Sequence, residues 1–214
     1  MDGRKLQDRL YLASGLCARH TGQTTDAFRP KGSSKPLDGG NRFLRLPAAF
    51  ISLSNNDHRT NVYGEALWYG ILDASYTRPS DYLVQAGGIF FVASQAPLLP
   101  VLCVKTNRTI TVVRPNTQMA IAGSAYGGYT LGHSAILMEG WPASVLGENR
   151  SSSSTANLPT DQAVPYWNVL LPAVDNVILG PGDLITDDLN RTAVITGSEL
   201  TGLGWRLSAK LATT

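Results

Sequence analysis

The chain has 214 residues, of which 43% are hydrophobic and 16% are charged, with 18 basic and 16 acidic side chains and a formal net charge of +2. This length allows one sizeable domain or two small ones with a packed core. A near-neutral surface excludes a protein that binds DNA by neutralising many phosphates. The 21 glycines and 12 prolines favour many turns, and hence β structure. Together with the low charge, they favour a surface that is partly buried in contacts with other subunits.

The N-terminal sequence MDGRKLQDRL lacks the apolar core of a secretory signal. No stretch reaches the roughly 18 apolar residues of a membrane span. Cys17 falls in a predicted helix and Cys103 in a predicted strand. Because such dissimilar contexts do not favour a disulfide, we predict two reduced, buried thiols.

The first segment, residues 3 to about 20, carries a helical pattern with charged residues between its apolar positions. Those positions are Leu6, Leu10, Ala13 and either Leu16 or Cys17. Residues 21–40 follow and are rich in glycine, proline, serine and threonine, which predicts an extended arm. Two alternatives stay open: the helix and arm bind a neighbouring subunit, or the helix packs on its own β domain.

From Asn41 the periodicity changes to that of strands. Residues 41–52 alternate in part, with Pro47 interrupting them, and residues 65–76 are apolar enough for a buried strand. Four short strands are predicted next, between polar or glycine-containing turns: Tyr82–Gln85, Ile89–Ser94, Val101–Lys105 and Thr109–Arg114. Short, closely spaced strands favour a small barrel or sandwich over an α/β sheet.

The C-terminal part is predicted to be β structure as well. Glycines in residues 116–147 argue against a long helix and favour strands or an interface loop. The serine-rich residues 148–164 predict a mobile loop. The further predicted strands are Trp167–Leu171, Asn176–Leu179, Leu184–Thr186, Thr192–Thr196 and Trp205–Leu211.

The predicted fold is therefore mainly β, with one or two small barrel or sandwich units, an N-terminal helix and an extended arm. Residues 1–40 form the helix and arm, residues 41–116 a first β unit, and residues 117–214 a second unit that contains the loop 148–164. The alternative is one merged β domain.

Two similar turns suggest an internal repeat. Pro79-Ser80-Asp81 and Pro181-Gly182-Asp183 each precede a short apolar strand. Asp183 lies 102 residues after Asp81, whereas the two Leu-Pro-Ala triplets, which begin at Leu46 and Leu171, are 125 residues apart. The unequal spacings indicate a weak repeat, or two similar turns used twice.

Few residues have the spacing of a catalytic or metal site. Gly132–Ile136 comes nearest to a nucleophile elbow around Ser134, but isoleucine occupies the place of the last glycine, which makes a hydrolase the weakest alternative. The histidines have no ligand partner at metal-binding spacing: His20, His58 and His133.

Four carboxylates near the C-terminus could form a calcium site or an acid–base site, but the sequence around Asp183 and around Asp187-Asp188 predicts turns, the second one capped by its own side chains. They are Asp183, Asp187, Asp188 and Glu199. We therefore predict no catalytic residue, no cofactor and no metal.

Two stretches, SDYLVQAGGIFFVAS (residues 80–94) and GDLITDDLNRTAVITGS (residues 182–198), resemble the neck proteins of tailed bacteriophages and prophages. These are the head-completion, stopper, collar and head–tail connector proteins. In their small barrels a (Pro)-Gly-Asp turn precedes a hydrophobic strand, and a hairpin leads to a strand with an aromatic residue or valine. The likeness covers most of residues 7–211, and it departs from the pattern at Ser80, which stands in place of glycine.

The resemblance implies a structural virion protein without enzymatic activity. It would form a homo-oligomeric ring that joins the portal to the tail, and it would be assembled in the host cytoplasm. Its partners would be the portal, other neck or tail proteins and further copies of itself. Genomic DNA would only pass through the channel, and no membrane would be involved. The expected interface residues are Leu6, Arg9, Leu10, Leu16, Phe28, Arg29, Pro30, Asn149, Arg150 and Leu158.

Two alternatives remain. One is a tail, baseplate, outer collar or decoration component of the same virion. The other is a ligand- or carbohydrate-binding β-barrel in which tryptophan rings form a stacking surface. The rings in question belong to Trp141, Trp167 and Trp205.

Overall fold

The computed structural model describes residues 3–52, 65–115, 134–148 and 166–212. Within these ranges the chain forms one α-helix, α1 (Gly3–Thr21), and twelve strands that make two closed barrels. The predicted mainly β fold with an N-terminal helix is confirmed. No helix in the described ranges is long and apolar enough to cross a bilayer.

The first barrel is built from six antiparallel strands that pair in the order β1-β2-β3-β6-β5-β4, with β4 closing onto β1. Its interior holds the buried side chains of Leu46, Leu83, Phe90 and Val92. The strands are β1 (Gln23–Phe28), β2 (Arg42–Ser52), β3 (Leu67–Ile71), β4 (Tyr82–Gln85), β5 (Gly88–Ser94) and β6 (Val101–Lys105).

The second barrel has the same connectivity, β7-β8-β9-β12-β11-β10, with β10 closing onto β7. Alternate residues of its strands point inward, as in β9, where Trp167, Val169 and Leu171 are buried. The strands are β7 (Arg108–Arg114), β8 (Ala135–Glu148), β9 (Tyr166–Leu171), β10 (Leu184–Asp187), β11 (Thr192–Thr201) and β12 (Gly204–Leu211).

The two barrels are a repeat at the level of topology, because β1 to β6 correspond in order to β7 to β12. Asp81 and Asp183 occupy the same position, directly before β4 and β10. Leu46 lies within β2, but Leu171 ends β9, the counterpart of β3. The two Leu-Pro-Ala triplets are therefore not equivalent, which explains why their spacing disagrees with that of the aspartates.

Part of the predicted extended arm, residues 21–40, is instead a strand of the first barrel. Residues 23–28 form β1 inside the first barrel, where Thr25 and Ala27 point inward. Only Gly22 separates α1 from β1. A Cβ at this position would lie 2.6 Å from the carbonyl oxygen of Ala18, so the sharp exit from the helix requires glycine.

Four further predictions need correction. Residues 108–114, assigned to the first unit, form β7 of the second barrel, and Asn176–Leu179 is not a strand. Pro47 does not interrupt β2, because β3 pairs with β2 only from Ala49 onward and residue 47 has a strand neighbour on one side only. Both cysteines are free, as predicted, but Cys17 is exposed.

The two barrels share a core. The ring of Tyr82, in the first barrel, lies 5.9 Å from that of Trp141 in the second, and its hydroxyl donates a 2.7 Å hydrogen bond to the carbonyl of Pro142. The arm strengthens this junction: the carbonyl of Ser33 accepts hydrogen bonds from the Trp141 indole at 2.6 Å and from the amide of Glu139 at 3.0 Å. The arm thus binds the second barrel of its own chain.

Candidate functional site: an apolar surface around the first helix

Helix α1 packs against β2 and β3 of the first barrel. Ala18 is fully buried, and Gly15 lies so near the barrel that a Cβ there would be 2.9 Å from the Cβ of Asp73. Tyr11 packs against the core of the same barrel. Of the two alternatives left open by the sequence, the structure has the helix on its own β domain.

Several large apolar side chains on and beside α1 nevertheless remain exposed. Six large side chains of the helix and of the two loops beside it are exposed. We call this set the α1 surface: Leu10, Leu12 and Leu16 from the helix, Tyr76 from the β3–β4 loop, and Leu98 and Leu99 from the β5–β6 loop. Single exposed leucines are common on soluble proteins, but several on one helix and the loops beside it mark a candidate interaction site.

Two grooves flank α1, and no described residue lines both of them. One, of about 410 Å³, is lined by Leu10, Leu98 and Leu99, and the other, of about 240 Å³, by Leu12, Leu16 and Tyr76. The Gln7 side-chain oxygen accepts a 2.6 Å hydrogen bond from the amide of Leu98, which holds the β5–β6 loop against the helix.

Helix α1 also carries exposed charged residues. The helix carries more basic than acidic side chains, namely Arg4, Lys5, Arg9 and Arg19 against Asp8. An apolar centre with a polar rim is the usual anatomy of a protein–protein interface. The α1 surface therefore suits a protein partner with an apolar patch and acidic neighbours.

The predicted interface residues of the helix lie on or beside this surface. Leu10 and Leu16 belong to it, Arg9 is exposed on the same helix, and Leu6 is half-buried. Sequence reasoning missed Leu12, Tyr76 and the two leucines of the β5–β6 loop. One signal was available in the sequence: Leu10, Tyr11 and Leu12 are consecutive and therefore point to different sides of the helix. A helix that packs on one side only does not need apolar residues on its other sides.

The remaining predicted interface residues lie elsewhere. Phe28 is half-buried against the shared core, and Pro30 lines a cleft of about 250 Å³ between the barrels. Arg29 forms an ion pair within the chain. Asn149, Arg150 and Leu158, together with the predicted loop that carries them, lie outside the described residues.

The Arg29 ion pair fixes the turn that precedes β4. Its guanidinium donates to both carboxylate oxygens of Asp81, at 2.9 and 2.7 Å, and to the carbonyl of Tyr76 at 3.1 Å. The carboxylate also accepts the amide of Arg78 at 2.9 Å. The hydrogen bond to Asp81 raises the pKa of Arg29 above its usual value. Ser80 has a φ of 75°, which explains why glycine suits this position.

The same arrangement recurs before β10. Arg114 donates to both oxygens of Asp183 at 2.8 Å and to the carbonyl of Ile178 at 2.8 Å, and the carboxylate accepts the amide of Gly180. Gly182 has a φ of 92°. These two Arg–Asp turns use buried, fully hydrogen-bonded carboxylates, so their role is to hold the turn.

Asp187 also acts as predicted, within a turn, whereas Glu199 lies in strand β11. One oxygen of Asp187 accepts the amides of Leu189 and Arg191, and the other accepts the Arg191 guanidinium. Among the described residues no group of three or more histidine, cysteine, aspartate or glutamate side chains could hold a metal ion.

We expect Asp187→Asn to lower the free energy of unfolding by about 2 kcal/mol at pH 7, because it removes a charged acceptor. Burial works to raise the pKa of Asp187, but the bonds from Arg191 and the amides outweigh it and hold the pKa below its usual 3.8. The ionised carboxylate thus stabilises the fold above about pH 4, and this contribution is lost as the pH falls through the lowered pKa. Urea titrations at pH 7 and below pH 4 should show the difference between variant and wild type shrinking; a constant difference would contradict this assignment.

The structure also bears on two other candidate sites, the tryptophan stacking surface and Ser134. Trp141, Trp167 and Trp205 are at most 6% exposed, so they cannot form a stacking surface for a carbohydrate. Ser134 is exposed directly before β8, while the adjacent His133 lies outside the described residues.

Comparisons with known proteins add no relative. No protein-family model matches the chain, and neither a curated protein nor a solved structure is significantly similar to it. Function is therefore inferred from the tandem barrels and the α1 surface.

Proposed function

We propose that this chain is a structural protein of the neck of a tailed bacteriophage, which forms an oligomeric ring joining the portal to the tail around the DNA channel. The α1 surface carries the proposal, because it displays apolar side chains on a helix that is already packed on its own barrel. Its partners are the portal, other neck or tail proteins and further copies of the chain. No enzymatic step and no cofactor enter this function, and assembly takes place in the bacterial cytoplasm.

The architecture supports the proposal in a second way. The two stretches that resemble neck proteins, residues 80–94 and 182–198, lie at equivalent positions, β4–β5 and β10–β11. In both barrels every strand has two partners, so binding by addition of a strand to a sheet edge is unfavourable. A partner therefore has to be bound through side chains, and the α1 surface offers them.

We expect the double variant Leu12→Asp, Leu16→Asp to stop particle assembly after DNA packaging. In the phage that encodes the chain, filled heads and free tails should accumulate, because two carboxylates would be buried in the joint. Leu189→Asp is the matched control, since this leucine is 54% exposed in the β10–β11 hairpin, outside the α1 surface. Electron microscopy of lysates counts joined and unjoined particles, and circular dichroism melting checks that both variants fold.

Normal yields of joined particles from the double variant would overturn the assignment of the α1 surface. Antibody labelling of virions tests the location: label at the head–tail junction supports a neck protein, and label at the tail tip would support the tail or baseplate alternative. Deletion of residues 1–30 is not a clean test, because it also removes β1 from the first barrel.

A further inference from the structure

Helix α1 carries two lengthwise rows of side chains. The inner row packs toward the first barrel and is at least partly buried: Gln7, Tyr11, Ser14 and Ala18. The outer row is exposed along its whole length: Lys5, Arg9, Leu12, Leu16 and Arg19. In both rows successive residues lie alternately four and three positions apart, the spacing by which a helix presents one face to a neighbouring helix or sheet. The outer row is therefore a second packing face, which the described part of the chain leaves uncovered.

The outer row is apolar at its centre and basic at both ends. Leu12 is 59% exposed and Leu16 is 48% exposed. Lys5 and Arg9 precede them along the row, and Arg19 follows them. Among the described residues, none of these three cations has an acidic partner within ion-pair distance. All three are therefore available to a partner molecule.

The acidic side chains on and beside α1 do not neutralise these cations. Asp8 is the one carboxylate within α1, and Asp73, beside Gly15, accepts the amide of Ser75 at 3.1 Å. Asp26 is already held by Arg42 at 3.1 Å and by Arg45 at 2.7 Å. Against these three acidic groups stand six basic ones, which leaves the surface positive: Arg4, Lys5, Arg9, Arg19, Arg42 and Arg45.

A groove lies beside the apolar centre of the outer row. Its volume is about 240 Å³, and Leu12 and Leu16 form one wall. The rest of the lining is mainly apolar, with two arginines: Leu44, Leu46, Pro47, Tyr76, Arg19 and Arg45, together with Gly15 and Asp73. Such a groove suits a leucine or phenylalanine side chain that anchors a partner, and the arginines suit a carboxylate next to that anchor.

We propose that the outer row of α1 binds an amphipathic helix of a different protein, with apolar side chains at its centre and aspartate or glutamate near both ends. At 1.5 Å per residue the row spans about 21 Å, which matches a partner helix of about four turns. A second α1 is not the occupant, because parallel and antiparallel pairing would both place basic ends against basic ends. The inference rests on the proposed function and deepens it, since it names the chemistry by which a portal or tail protein would be recognised.

Two synthetic helical peptides of about 20 residues test this chemistry with the full chain. Both have leucines at heptad spacing in the centre, and one has glutamates where the other has lysines, in the first and last turns. Fluorescence anisotropy should show the glutamate peptide binding wild type at least about tenfold more tightly than the lysine peptide.

Charge reversal on the row supplies the second arm of the test. Arg9→Glu with Arg19→Glu should reverse the peptide preference. Arg206→Glu with Lys210→Glu is the matched control, because it changes the net charge equally on exposed positions of β12 and should keep the wild-type preference. Circular dichroism melting checks folding, and Arg9→Gln with Arg19→Gln, which should greatly reduce the preference, replaces the reversal if that variant does not fold.

Equal affinity for the two peptides, or binding of neither, would overturn the proposal, as would an unchanged preference after the reversal of Arg9 and Arg19. Binding of duplex DNA or of vesicles with anionic lipid that the glutamate peptide does not displace would also overturn it, because the cations would then serve another class of partner. These results are separate from the neck location: antibody label away from the head–tail junction would reject the location and leave the peptide preference standing.

Discussion

Trp141→Ala is expected to lower the free energy of unfolding by about 3–5 kcal/mol, the range for loss of a buried aromatic side chain. Trp141 is 1% exposed and contacts three parts of the chain. It belongs to β8, its ring lies 5.9 Å from that of Tyr82 in the first barrel, and its indole donates to Ser33 in the arm. Its loss should therefore weaken the junction between the barrels as well as the core of the second.

Urea unfolding followed by circular dichroism measures this effect. The wild type should unfold in one transition because the barrels share a core, and Trp141→Ala should separate the transitions of the two barrels. Trp141→Phe is the matched control: it keeps an aromatic ring beside Tyr82, loses the hydrogen bond to Ser33 and a few buried ring atoms, and should cost less than Trp141→Ala. A single transition in Trp141→Ala, with a midpoint near that of wild type, would show that the barrels are not coupled through this residue.

The hydrophobic pattern within a segment was enough to predict the helix and several strands. The bounds predicted for Tyr82–Gln85 and Val101–Lys105 are those of β4 and β6, because each is a short apolar run between turns. The helix was predicted within one residue of its end. These elements depend on periodicity and turn residues that lie within the segment itself.

Strand β1 could not be predicted in this way. Its sequence, QTTDAF, has few apolar residues and lies in a glycine- and proline-rich context. It becomes a strand because it pairs with β2 on one side and with β4 on the other, and β4 lies more than fifty residues away. Tertiary pairing of this kind overrides local propensity. The boundary between the two β units was misplaced for the same reason, since only pairing assigns β7 to the second barrel.

The candidate site was predictable in its helical half only. Leu10 and Leu16 follow from the amphipathic pattern of α1, but Tyr76, Leu98 and Leu99 come from loops that the fold brings beside the helix. The repeat was obscured in a similar way. Its most specific feature is an ion pair that joins Arg29 to a residue 52 positions away, and single-sequence reasoning does not identify such a partner.

Removal of the Arg29–Asp81 ion pair is expected to have the second large effect on stability. Asp81→Ala is expected to lower the free energy of unfolding by about 3 kcal/mol, the lower part of the range for breaking a buried pair. The Asp81 side chain is 1% exposed, but Arg29 is 29% exposed and can regain water, which limits the loss. The variant leaves the amide of Arg78 without its acceptor and releases the turn before β4.

The repeat supplies the matched comparison for this prediction. Asp183→Ala should also lower the free energy of unfolding, but by less than Asp81→Ala. Arg114 is 48% exposed and regains more contact with water than Arg29 does. Asp26→Ala is the surface control, since its partners Arg42 and Arg45 are exposed and such pairs contribute little. The urea midpoint should therefore be highest for Asp26→Ala, lower for Asp183→Ala and lowest for Asp81→Ala. If Asp81→Ala instead matched the surface control, the Arg–Asp turns would not be what holds the barrel ends in shape.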